Sequence, residues 1–404
     1  MMDRLPAFPW DSLAPFKERA ISHAGGLVDL SVGTPVDPTP EVVREALAAA
    51  SDAHGYPQTW ATPVLREAVA QWFARRRGVP DVSPEGVLPT MGSKELVAWL
   101  PTLLGIGPGD VVALPAVAYP TYDVGARMAG ASRLLMDGLT GIGPMTSMPT
   151  PKLLWVNSPS NPTGQVLGVE HLAQLVMWAR AHGVIIASDE CYAEFDWRAV
   201  DGEQGSALST PGAVPSILDP AVCDGSHEGL LALYSLSKQS NMAGYRAAFV
   251  AGDAALIGRL LEIRKHAGMM MPWPVQQAMV AALRDDRHVG LQKARYGLRR
   301  RRLRSALEQA GYRVDHSDAG LYLWTTRDDP ERVGEPGVGS GSGQQTRTGI
   351  DWSLVSDLAD LGILVAPGSF YGPAGARHVR IALTATDERL EAAVGRLTQR
   401  IGQQ

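Results

Sequence analysis

Lys238 stands beside two hydroxyls in Ser235-Leu-Ser237-Lys238, and Arg246 follows eight residues later in Asn241-Met-Ala-Gly244-Tyr-Arg246. A lysine that serves only solvation needs no such company. One that holds an aldehyde cofactor as a Schiff base does, because the cofactor's phosphate must be anchored nearby by hydroxyls and a guanidinium. Asp189 comes directly after the apolar run Val184-Ile-Ile-Ala187 and its Ser188, at what reads as the carboxyl end of a strand. Ligands of open α/β sheets bind at such ends, and a carboxylate there can keep a ring nitrogen protonated. Tyr192 is three residues on, suited to a hydrogen bond with a phenolic oxygen. Gly92, Ser93 and Lys94 read as a strand-to-helix turn, whose first N–H groups are unpaired and suit a phosphate. Tyr119, in Pro115-Ala-Val-Ala-Tyr119-Pro120, can stack on a cofactor ring, with Tyr122 close by. Arg380 interrupts the apolar strand pattern His378-Val-Arg-Ile-Ala-Leu383. A buried guanidinium is costly unless paired, and its planar fork suits a carboxylate.

Each feature has a plainer reading when taken alone. An aspartate at a strand end caps a turn, Asn-Pro and Thr-Gly punctuate loops, Gly-Ser starts a helix, and a strand arginine closes an internal salt bridge. In series along one chain they describe a site for a phosphorylated aldehyde and an acidic substrate. The basic runs Arg75–Arg77 and Arg299–Arg302 read as solvated helix ends and faces, the first complementing a helix dipole ahead of Gly78.

The elements that must position these residues alternate short apolar runs with helical patterns, the signature of a mainly parallel sheet covered by helices. Val111–Leu114, Leu153–Val156, Val184–Ala187 and Leu230–Leu233 read as strands. Residues Gly168 to His182 carry Leu172, Leu175, Val176 and Ala179 on one helical stripe ended by Gly183. Thr62-Pro63 opens another helix with Leu65, Val69 and Trp72 on its stripe. A long helical pattern runs from about Val275 to Ala310. Tyr312 to Thr326, Gly362 to Ala366 and His378 to Leu383 read as strands, and a closing helix starts at Thr386. The expected division is an N-terminal arm and part of a small domain over 1–40, a large domain over 41–272, and a small C-terminal domain over 273–404. A flexible surface insertion at 327–349 contains Gly337-Val-Gly-Ser-Gly-Ser-Gly343.

With 404 residues, two domains are the default expectation. Hydrophobic residues make up 45% and charged residues 20%, an ordinary globular balance. A net charge of −5 gives no push toward nucleic acid or anionic membranes. Cys191 and Cys223 are too few for a disulfide framework and have no metal-ligand spacing. No apolar stretch approaches the roughly 20 residues that span a bilayer, and the start lacks a signal-peptide pattern. The expectation is a soluble cytoplasmic enzyme without a metal.

The Ser-x-Ser-Lys and Gly-x-Arg spacing of Ser235 to Arg246, the Asp-x-x-Tyr of Asp189 to Tyr192 and the Asn-Pro-x-Gly of Asn161 to Gly164 resemble class I/II aminotransferases dependent on pyridoxal 5'-phosphate (PLP). The resemblance spans Ser31 to the closing helix with every motif in family order. It implies the fold type I α/β architecture, with a mostly parallel seven-stranded sheet in the large domain and a smaller α/β domain. It implies a homodimer with shared active sites. By the same resemblance Lys238 holds PLP and moves the substrate proton, Asp189 holds the pyridine nitrogen, and Tyr192 and Asn161 hold the phenolic oxygen. Gly92, Ser93, Lys94, Ser235, Ser237 and Arg246 form the phosphate cup, Tyr119 stacks on the ring, and Gly33, Asn161 and Arg380 meet the substrate carboxylate. Gly55-Tyr56-Pro-Gln-Thr-Trp-Ala61-Thr-Pro-Val-Leu-Arg66 resembles the segment whose tyrosine reaches the neighbouring subunit's phosphate, with Ala61 where glycine is usual.

Closer still, Arg4 to Trp10, Asp29 to Pro38, Gly92 to Pro101, Ser237 to Phe249 and Ile263 to Pro272 resemble the actinobacterial N-succinyl-L,L-diaminopimelate aminotransferases of lysine biosynthesis. That likeness implies exchange of an amino group between glutamate and N-succinyl-2-amino-6-ketopimelate. Rival readings are an aminotransferase for another amino acid, a PLP-dependent β-lyase on the same fold, and a noncatalytic PLP-binding regulator. A purely structural protein would not need Asn161, Asp189, Lys238 and Arg246 together.

Overall fold

The computed structural model describes residues 5–136, 150–198, 208–328 and 349–401; the glycine-rich run 337–343 and most of the expected insertion lie outside these residues. Seven strands form one sheet in the order Val87–Met91, Ala247–Gly252, Leu230–Ser235, Ile185–Asp189, Leu153–Asn157, Val111–Pro115 and Ser132–Met136. Ala247–Gly252 runs antiparallel to both neighbours, and the remaining pairs are parallel. Val87–Met91, Ser132–Met136 and Ala247–Gly252 add to the four strands expected from apolar runs. The central strands are buried along their whole length, as a sheet covered on both faces requires. Leu154, Val156 and Phe249 enter one core, while Leu153, Trp155 and Val250 enter the other.

The covering helices form where their local signals lie. Thr62 caps Pro63–Trp72, its hydroxyl accepting from the Leu65 N–H at 3.2 Å, and Leu65, Val69 and Trp72 are buried. Val169–His182 buries Leu172, Leu175, Val176 and Ala179 and ends at Gly183 with φ of 64°. Each such buried leucine or valine contributes about 1.5–3 kcal/mol.

Two expectations are corrected here. The pattern from Val275 to Ala310 is two helices, Trp273–Arg284 and Asp286–Gln309, because the Asp285 carboxylate accepts from the N–H groups of Arg287 and His288 and starts the second. The first buries Ala278, Met279 and Leu283 in the core of the large sheet, not in the smaller unit. The basic runs are solvated only in part: Arg75, Arg301 and Arg302 are exposed as expected, and the other four arginines are buried. Past Trp72 a wider π-type turn, Phe73–Arg77, brings Arg76 to Glu194 at 2.8 Å and Arg77 to Glu190 at 2.9 Å, all four buried. Arg299 is buried between Asp37 and Asp387, and Arg300 donates to Ser317.

The smaller unit is an antiparallel sheet in the order Ala366–Pro367, Val379–Ala382, Tyr322–Thr326 and Arg313–Asp315. Val28–Asp29 pairs in parallel with Ile363–Leu364, which ties the early chain to the late chain. The helix Asp387–Ile401 closes this unit. Among the described residues no helix is long and apolar enough to cross a membrane.

Candidate active site

The site lies at the carboxyl ends of the central strands, where the antiparallel sheet meets them. Asp189 is the last residue of Ile185–Asp189, so strand geometry fixes its direction. Its buried carboxylate accepts from the Tyr122 hydroxyl at 2.8 Å and from the Cys191 N–H at 3.2 Å. Burial raises its pKa, and these hydrogen bonds only partly oppose that. A cationic partner would hold it ionised. Lys238 lies in the single turn Leu236–Gln239 that follows Leu230–Ser235, and its Nζ donates to the Gly33 carbonyl. Burial lowers its pKa, which favours the neutral amine a nucleophile or base requires.

On one side of this pair stand groups that can only donate to an anion or do so readily. Ser235 caps its turn, accepting from the Ser237 N–H at 3.2 Å while its hydroxyl donates to the Ser237 Oγ at 2.8 Å. Arg246 has φ of 54° and donates from Nη1 to the Ala243 carbonyl at 2.9 Å. Its Nη2 lies against Gly92, where φ is 80° and any Cβ would overlap the guanidinium. Gly92 precedes Ser93–Leu103, whose first N–H groups lack helical partners. Among the described residues no carboxylate belongs to this cradle of hydroxyls, helix-start N–H groups and guanidinium, the donor chemistry a phosphate dianion needs. The Lys94 side chain is exposed, and only its backbone N–H is available to the cradle.

On the other side Arg380 is buried, donating from Nη1 to the Asn161 Oδ1 at 3.1 Å and from Nη2 to the Ser31 carbonyl at 2.7 Å. Among the described residues its Nε has no partner. The guanidinium lies over the rings of Tyr322, at 4.0 Å, and Tyr371, at 4.9 Å. Asn161 is oriented by Asn157, whose Oδ1 accepts from the Asn161 N–H at 2.8 Å and whose amide donates to the Asp189 carbonyl at 3.0 Å. Tyr192 meets Tyr322, hydroxyl to hydroxyl, at 3.0 Å. Tyr119 packs edge-on against Tyr122, and burial pushes its phenol up to about 12.

Of the residues expected in the site, Gly33, Gly92, Ser93, Tyr119, Asn161, Asp189, Tyr192, Ser235, Ser237, Lys238, Arg246 and Arg380 come together. Tyr56 does not; it is 96% exposed. Tyr122, Asn157 and Tyr322 join them without having been singled out for a role. Tyr122 lies in the first turn of the helix Thr121–Ala129, just after Tyr119, and its nearness to that residue in the sequence was the one signal for it. Among the described residues no cluster of three or more His, Cys, Asp or Glu could hold a metal ion.

The seven-stranded, mostly parallel α/β sheet is that of the PLP-dependent enzymes of fold type I. Residues 26–397 match the family described as aminotransferase class I and II, and the chain belongs to that family. It is 55% identical to the 4-dedimethylamino-4-oxo-anhydrotetracycline transaminase of Streptomyces rimosus, over 98% of this chain and 100% of that one. It is likewise 55% identical to a probable aminotransferase of Mycobacterium tuberculosis, over 98% of this chain and 85% of that one. A solved structure, a probable N-succinyldiaminopimelate aminotransferase from Thermus thermophilus, is 29% identical with a TM-score of 0.78, covering 97% of this chain and 100% of that one.

Proposed function

We propose that this aminotransferase converts N-succinyl-L,L-diaminopimelate and 2-oxoglutarate to N-succinyl-2-amino-6-ketopimelate and glutamate in lysine biosynthesis. In this reading it acts in the cytoplasm as a homodimer, with Tyr56 reaching the neighbouring subunit's cofactor phosphate. The 96% exposure of Tyr56 supports that last role. The observation that carries the reading is the buried Arg380, whose Nε is unpartnered among the described residues and whose guanidinium lies over two tyrosine rings. Such a guanidinium favours an α-carboxylate strongly in a low-dielectric setting.

When bound, PLP supplies an electron sink for negative charge developing at the substrate Cα. Lys238 Nζ takes the proton from that carbon, a task its burial-lowered pKa suits. Asp189 balances a protonated ring nitrogen and remains ionised against it. Tyr192 and the Asn161 amide hold the phenolic oxygen, while Arg380, Asn161 and the Gly33 loop orient the carboxylate. Gly92, Ser93, Lys94, Ser235, Ser237 and Arg246 hold the phosphate, and Tyr119 covers the ring.

A single half-reaction tests the substrate. PLP-loaded protein is mixed separately with N-succinyl-L,L-diaminopimelate, glutamate and aspartate while the cofactor absorbance is followed. Rapid loss of the resting band with the succinylated amine and with glutamate supports the proposal; response to glutamate alone removes the diaminopimelate substrate. A second reading rests on the Streptomyces relative, which is named for an oxidised anhydrotetracycline. The loaded amino form of the protein should then be reoxidised by such a polycyclic ketone and not by the succinylated keto acid.

A further inference from the structure

Tyr322 has no role in the assignments above, yet it touches three of their residues from the small sheet. Its hydroxyl is 3.0 Å from that of Tyr192, and its ring lies 4.0 Å beneath the Arg380 guanidinium. Gly33, whose carbonyl accepts from the Lys238 Nζ, leaves the room for the Tyr322 hydroxyl, since any Cβ there would overlap it. The residue is buried at 5% exposure, and Arg380 follows it across the sheet, with Tyr322 opposite Ala382 and Trp324 opposite Arg380. A phenol needed only for packing could be a phenylalanine here. We propose that Tyr322 is a positioning residue: its O–H donates to the Tyr192 oxygen, turns the Tyr192 O–H toward the cofactor's phenolic oxygen, and so sets the proton affinity of the cofactor-bound Lys238.

Either phenol can donate across the 3.0 Å contact, and the charges around the pair favour Tyr322 as the donor. Burial opposes ionisation of Tyr322, but the Arg380 and Lys238 charges outweigh it and hold the phenol below its usual value, with Asp189 acting the other way. Tyr192 is pushed well above its usual value, by burial first and then by Tyr322. The Arg380 guanidinium seated 4.0 Å over the Tyr322 ring makes that phenol the better donor, which is the direction the proposal takes, from Tyr322 to Tyr192. A donor aimed at the cofactor's phenolate contributes most once the neighbouring lysine nitrogen has lost its proton and the negative charge stands alone. It therefore lowers the pH at which that proton leaves.

The proposal rests on the roles given to Lys238 and Tyr192, and its test needs no substrate. Holoenzymes carrying Tyr322→Phe, Tyr192→Phe, both or neither are titrated with pH while the absorbance of bound PLP is recorded. Tyr322→Phe should raise the midpoint by about 0.5–1 unit, the equivalent of one ordinary hydrogen bond, with the cofactor retained. Tyr192→Phe should raise it at least as far, and the double variant should match Tyr192→Phe alone. An unmoved midpoint in Tyr322→Phe, while Tyr192→Phe shifts it, overturns the proposal and leaves the Tyr192 role standing. The same shift from Tyr322→Phe in both backgrounds overturns it too, because the phenol would then act without Tyr192. No shift in Tyr192→Phe overturns both.

Discussion

Replacing Arg77 by methionine tests whether the buried ion pairs behind the site stabilise the fold. Arg77 and Glu190 are each 2% exposed and meet at 2.9 Å. The substitution keeps most of the side-chain length and leaves Glu190 as a buried carboxylate without its cation. Removing one partner of such a pair costs about 3–5 kcal/mol. Glu190 still accepts from the Ile217 N–H at 2.8 Å and the Ser216 hydroxyl at 3.1 Å, which places the electrostatic loss near the lower end. The Val214 carbonyl also loses its donor, at about 1 kcal/mol more. The total is a destabilisation of about 4 kcal/mol, read from urea unfolding followed by tryptophan fluorescence. Adding Glu190→Gln removes the stranded charge and should recover about half. A loss under about 1 kcal/mol, the value of an exposed pair, would refute the reasoning. So would a double variant no more stable than Arg77→Met.

Three further outcomes follow from the site and the fold. Lys238→Ala should abolish turnover while PLP remains bound noncovalently, seen as absorbance of the free aldehyde on protein that has passed a desalting column; normal turnover would exclude the lysine. Arg380→Ala should weaken binding of acidic substrates by about 2–5 kcal/mol, an apparent affinity change of roughly 30-fold or more, and equal affinities would exclude the carboxylate role. Ala61, buried with φ of 67°, adopts a backbone that glycine takes freely. Ala61→Gly should raise stability by about 0.5 kcal/mol, relief of left-handed strain exceeding the entropy that glycine adds to the unfolded chain, as measured by thermal melting.

The sequence carried much of this site because its chemistry is local. Asp189 and Tyr192 share one turn, Ser235 to Arg246 form one continuous cradle wall, and Thr62-Pro63 announces its own helix. What stayed hidden depends on pairing at a distance. Arg76 and Arg77 look like a solvated helix end until the fold brings Glu194 and Glu190 to them across 118 and 113 residues. Tyr322 lies in Leu321-Tyr-Leu-Trp324, where alternation marks every residue as packing and nothing distinguishes the phenol that meets Tyr192. The cap at Asp285 was legible, since an aspartate before a helical run is a start signal, but the apolar period on either side of it masked the break.

The Arg380 guanidinium reaches the Ser31 carbonyl across 349 residues, Ala382 N–H donates to the Leu30 carbonyl, and the Thr384 hydroxyl donates to the Val32 carbonyl. The loop that carries Gly33 is therefore held by residues made very late in synthesis. Every strand of the large sheet precedes residues 379–384, so a ribosome-bound chain whose large sheet is already complete in sequence still lacks Arg380. It cannot yet grip a carboxylate. The parts of the site that would hold a cofactor and a carboxylate are thus separated in the order in which the chain is made.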